Sequence, residues 1–142
     1  MITVTRFDQI CQAWVAAFPE LSGYVRVVTE SQATAKLSDR TGIQLVAVLP
    51  SYGRSGSSVT PKRTQTALFW IIEKSVPDAD DTQELSQQQR TQDLIGKLEK
   101  RIMSEQEDGC SDWQRLEVAS IQIDPEQNIF GGWNGFYMTF DF

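Results

Sequence analysis

Two almost continuous apolar runs, Ile43 to Leu49 and Thr66 to Lys74, place the strongest constraint on how this chain folds. Runs of that length, rich in β-branched and aromatic side chains and bounded by turn residues, predict two well-buried strands. Pro50 stops the first. Between them, residues 50–63 hold two glycines, four serines and two prolines, with Arg54, Lys62 and Arg63 and no acidic residue. That composition predicts a loop. A structureless connection of about fourteen residues exceeds an ordinary hairpin turn and tends to be functional or disordered.

The remaining elements are read around this pair. Phe7, Ile10, Cys11, Trp14 and Phe18 recur at helical spacing behind Thr5 and Asp8, predicting an N-capped amphipathic helix over 6–18, closed by Pro19. A short β segment is expected before it, a strand at Tyr24 to Thr29 after it, then a polar stretch to Arg40. Asp78, Asp80, Asp81 and Glu84 gather ahead of a helix predicted over 82–106, where carboxylates favour the positive end of the helix dipole. Its apolar stripe is Leu85, Leu94, Ile95, Leu98, Ile102 and Met103, and Gly109 ends it. The acidic group lacks the glycine of a calcium loop, so no metal is expected there.

The C-terminal segment is the clearest. Leu116 to Asp124 is strand-like, 125–135 reads as a second long loop, and Phe136, Met138, Phe140 and Phe142 alternate strictly with Tyr137, Thr139 and Asp141. The loop carries Ile129, Phe130 and Trp133 beside three glycines. Such side chains are costly to leave in water, so they either fold back over the core or bury against another subunit.

This order predicts one α+β domain spanning residues 1–142, with a mostly antiparallel sheet of about five strands and two helices packed on one face. A chain of 142 residues that is 40% hydrophobic suits a single core. No stretch approaches the roughly 18 apolar residues of a membrane span, and no signal-peptide layout is present, so a soluble cytosolic product is expected. Cys11 and Cys110 are expected to be free thiols, Cys11 as a small buried hydrophobe.

Chemistry narrows the function. The chain contains no histidine, which removes the commonest general base, the commonest metal ligand and every histidine-activated nucleophile. Gly53 and Gly56 lie between two strands without the GxGxxG spacing, and Gly131, Gly132 and Gly135 lie within a hairpin, so no phosphate cradle is expected. No cofactor, catalytic residue or metal ligand is assigned, and the reading points away from an enzyme; a hydrolase using two carboxylates alone would need both in one deep pocket.

The net charge of -6 divides unevenly: seven basic against four acidic residues up to Arg63, a balance of +3, and six against fifteen beyond it, a balance of -9. Recognition of another macromolecule remains. The candidate contacts are Arg54, Lys62 and Arg63 in the basic loop and Ile129, Phe130 and Trp133 in the apolar one. Two unlike halves suit a self-associating subunit whose opposite faces meet. The competing reading is a small binding module for nucleic acid or another ligand, using the basic 50–63 loop with Trp70 or Trp133 as a stacking surface.

The element order also resembles a known family. An N-terminal amphipathic helix, a strand pair at Leu45 to Leu49 and Thr66 to Ile72 joined by a long arm, a second helix and a C-terminal hairpin ending in the aromatic strand Trp133 to Phe142 are similar to the tail-terminator and tail-completion proteins of long-tailed bacteriophages, and to related neck proteins. The resemblance is one of architecture. It implies a non-enzymatic virion-assembly protein of a phage or prophage, closing as a homo-oligomeric ring, commonly a hexamer, at the head-proximal end of the tail tube. The implied partners are tail-tube and head-connector proteins, with nucleic acid met indirectly through a channel. Such a protein is cytoplasmic during assembly and then part of the virion tail or neck.

Overall fold

The computed structural model describes every residue except Thr60, Cys110 and Ser111, and only the backbone of Pro61. The expectation for Cys110 therefore falls outside the described residues. The elements are α1 (Val4–Ala17), β1 (Leu21–Val27), α2 (Ser31–Leu37), β2 (Ile43–Gly56), β3 (Pro61–Lys74), α3 (Asp81–Glu107), a 3-10 turn (Val118–Ser120), β4 (Gln122–Ile129) and β5 (Trp133–Asp141). They build an α+β fold on one five-stranded sheet of order β1-β2-β3-β5-β4.

Three of the four strand pairings are antiparallel, and β1 pairs with β2 in parallel. A parallel pair needs a crossover, and α2 supplies it. This helix lies inside the stretch read as polar: within it Ala33 and Leu37 alone are buried, a stripe too short for periodicity to reveal. The two expected helices do share one face of the sheet, and α2 is a third, unexpected helix. Helices α1 and α3 cover one face and α2 the other.

On the first face, Phe7, Ile10, Cys11 and Trp14 of α1 and Leu94, Ile95, Leu98 and Ile102 of α3 meet Leu45, Ala47, Phe69, Ile71, Met138 and Phe140 of the sheet. Each fully buried side chain of this kind contributes about 1.5–3 kcal/mol. Trp14 and Trp113 stack with ring centres 5.9 Å apart. Their indole N–H groups both donate to Glu105, at 3.3 Å and 3.0 Å, so one carboxylate satisfies two buried donors. On the second face Val25, Val27, Ala33, Leu37, Val46, Trp70, Ile72 and Trp133 form a smaller cluster.

The helix ends differ from the expected ones. Helix α1 is capped by Thr3, whose hydroxyl accepts from the Arg6 amide at 3.2 Å. Asp8 instead accepts from the Tyr24 hydroxyl at 3.2 Å and pairs with Arg26 at 2.9 Å. Asp80 and Gln83 close a capping box on α3, with bonds of 2.8 Å and 3.0 Å. Leu85 is 63% exposed, and Gln87 and Thr91 take the inward positions. Gln87 is satisfied there: its amide nitrogen donates to the Lys74 carbonyl at 2.8 Å and its oxygen accepts from Asn134 at 3.0 Å.

Strand β4 starts later than expected and runs through Pro125, which belongs at a sheet edge where no outward N–H is needed. Opposite it, Gly135 allows β5 to approach β3. A Cβ there would lie 2.1 Å from the Ile71 carbonyl oxygen.

Candidate functional site

Residues 50–63 are not a loop. The pairing of β2 with β3 continues from Ser51↔Thr66 through Arg54↔Arg63 to Gly56↔Pro61, so the segment is a two-stranded ribbon. Composition misled because the alternation is polar on both faces, the pattern of a strand that buries neither side. The ladder is interrupted between Val48 and Ser51, at Leu49 and Pro50, where the prolyl nitrogen has no proton to give. Beyond that point β2 has left β1, and β3 pairs with β5 from Thr66 onward. The ribbon therefore leaves the sheet as an arm with two open edges, and residues 51–59 are all exposed.

Alternation along the ribbon places Tyr52, Arg54, Arg63 and Gln65 on one face. The two arginines are direct cross-strand partners, an arrangement that destabilises a ladder when the charges are alike. Lys62 points elsewhere and pairs with Glu117 at 2.7 Å. The hydrogen bond to Glu117, and then its charge, hold the Lys62 ammonium above the usual lysine range.

At the base of the arm a cleft of about 730 Å³ is lined by Arg6, Tyr52, Arg63, Gln65, Asp112 and Arg115, among others. Gln65 is buried, and its oxygen accepts from the Ile2 amide at 2.7 Å, fastening the start of the chain to the arm. Arg6 grips Asp112 through Nε at 3.1 and 3.0 Å and through Nη2 at 2.6 Å. Arg54, Arg63 and Arg115 form no ion pair among the described residues. Sequence reasoning missed Arg6, Tyr52, Gln65 and Arg115. The symmetric placing of Tyr52 and Gln65 about the tip would have found two of them; nothing local marks Arg115.

The apolar candidates lie elsewhere. Trp133 pairs with Lys74 at the opposite end of β3 from Arg63, and eleven residues of strand separate the two by about 36 Å. Trp133 is 2% exposed, and half-buried Ile129 and Phe130 pack against the same cluster. Phe130 meets Trp70 edge to face at 5.1 Å. Of the two alternatives for this hairpin, the side chains fold back over their own sheet. The six candidates thus form two groups rather than one site. Trp70 and Trp133, considered above for base stacking, are both buried.

Two further clefts open on the surface, one beside the start of α3 and one beside Tyr24. Each of the three clefts is lined by a single carboxylate: Asp112, Glu84 and Asp8 respectively. No group of three metal-capable side chains occurs among the described residues, and no described helix is long and apolar enough to cross a membrane. Cys11 is sealed in the core, and burial pushes its thiol up to about 12. No protein-family model matches the chain, and neither do the curated proteins or the solved structures.

Proposed function

We propose that this chain is a non-enzymatic, self-associating structural protein of a phage or prophage tail or neck, of the ring-forming tail-terminator or tail-completion kind. The observation that carries this reading is the arm. A two-stranded ribbon that reaches beyond the sheet with residues 51–59 all exposed is marginal on its own in water, and open edges are features that folded proteins ordinarily blunt. Ordering it against a neighbour supplies the missing partners. Heterologous contacts of that kind close into a ring when the rotation permits.

The element order supports the same class, with an amphipathic first helix, an arm between the central strands, a long third helix and an aromatic last strand. The partners then belong to the tail tube and the head connector. The alternative reading, a small binding module for nucleic acid or another ligand, keeps the arginines of the arm and exposed Tyr52 on the same face, but the tryptophans it would stack on, Trp70 and Trp133, are buried.

Light scattering coupled to size-exclusion chromatography tests the proposal on the chain alone and mixed with a tail-tube subunit. A defined oligomer, or a stable mixed complex, is expected. A strict monomer at high concentration that also ignores the tube subunit would overturn it.

A further inference from the structure

Resting on the assembly reading above, we infer that the arginine cleft at the base of the arm is the socket for the acidic segment 78–84 of a second copy of this chain. The first ground is an imbalance of partners. The sequence has six more acidic than basic residues, yet Arg63 and Arg115 line one cleft, Arg54 stands across the ribbon from Arg63, and none of the three forms an ion pair among the described residues. Arg54 and Arg63 repel each other across the ribbon, and an anion seated between them and Arg115 relieves that repulsion.

The second ground is where the matching charge lies. Asp78, Asp81 and Glu84 are exposed and form no ion pair among the described residues, and Asp80 beside them serves as the helix cap. This segment follows Lys74, at the far end of β3 from Arg63, across about 36 Å of strand. A separation of several Debye lengths prevents one subunit from satisfying itself. The cations at one pole and the carboxylates at the other can meet only between molecules, head to tail.

The third ground concerns the kind of anion. The cleft lining holds Asp112 beside Arg6, Arg63 and Arg115, and Glu117 pairs with Lys62 on the other face of the ribbon, so the cations around the arm are interleaved with acids. Such a surface suits discrete side-chain carboxylates. A continuous phosphate backbone would meet these acids and a chain of net charge -6.

Reciprocal charge reversal tests the socket, read as the self-association constant by analytical ultracentrifugation. Arg63→Glu with Arg115→Glu reverses the cleft, and Asp78→Lys with Asp81→Lys reverses the segment while sparing the Asp80 cap. Each double variant is expected to associate at least about tenfold more weakly than the parent. Mixing the two, or combining all four changes in one chain, is expected to restore association. Unchanged melting of each variant verifies that these exposed substitutions leave the fold intact. If both double variants associate like the parent, the socket is wrong and the assembly reading survives. If the parent never self-associates, the socket is wrong, and the assembly reading then rests on the mixed complex with a tail-tube subunit. Loss of duplex DNA binding in the cleft variant, with self-association intact, would assign the cleft to nucleic acid and overturn the inference.

Discussion

Arg54 and Arg63 stand directly opposite one another on the arm, equidistant from its tip, and neither is paired with a carboxylate among the described residues. A free monomer gains nothing from such a pair. Arg63→Glu converts it into an opposite-charge pair worth about 0.2–1 kcal/mol. Amide exchange in the ribbon is expected to slow by about 2- to 5-fold while self-association falls. Faster exchange, or stronger association, would contradict this account of the arm.

Phe130 is held at a φ of +50°, an unfavourable backbone conformation for a bulky side chain, and its ring rests on Trp70. The hairpin is therefore part of the subunit's own core. Trp133→Ala is expected to cost about 3–5 kcal/mol in urea unfolding of the monomeric protein. Phe130→Ala should cost less, about 1–2 kcal/mol, because its ring is half-buried and the truncation leaves the same backbone strain in place. Unfolding identical to the parent, with only assembly impaired, would instead move both residues to a subunit boundary.

The contrast between these two hairpins shows how far the sequence could be read. Strict alternation from Phe136 to Phe142 located β5 because one face is buried and the other half-exposed. The arm has no buried face, so hydrophobic periodicity was silent about it, and serines and glycines read as a loop. Helix α2 escaped for a related reason: two buried positions, Ala33 and Leu37, make no stripe. The parallel pairing of β1 with β2 followed from that missing helix. Arg54, Lys62 and Arg63 were legible as a basic group, but of these Arg63 alone lines the cleft, where Arg6 and Arg115 join it through tertiary structure.

Glu105 provides a test of the core that is independent of assembly. Its two oxygens accept from the indoles of Trp14 and Trp113, which are 1% and 0% exposed. Glu105→Leu strands both donors and is expected to cost about 2–4 kcal/mol, with a changed near-ultraviolet signal from the stacked rings. Glu105→Gln keeps one acceptor oxygen and should cost less. Equal losses for the two variants would show that the carboxylate does not bridge the indoles.

The Cys11 thiol predicts an alkaline limit to stability. Burial raises it from 9.0 to about 12, so between those values the unfolded chain releases a proton that the folded chain retains. Its contribution is fully present below pH 9 and is lost as pH rises toward 12. Tyr24, raised chiefly by burial, adds to the same decline. Chemical denaturation between pH 8 and 11 should show stability falling in the parent and falling less steeply in Cys11→Ala, the pH range being about that of the shift. Equal slopes would remove Cys11 as a cause.

The central claim is that the arm exists to join subunits. Replacing residues 53–64 by Asn-Gly keeps the Tyr52↔Gln65 pair and closes it with a two-residue hairpin turn. Gln65 remains to hold Ile2, so the domain should melt as the parent does. The decisive measurement is the solution mass of parent and shortened protein by light scattering over a wide concentration range. A defined oligomer for the parent and a folded monomer for the shortened protein is the predicted result. Equal oligomers from both proteins would contradict it.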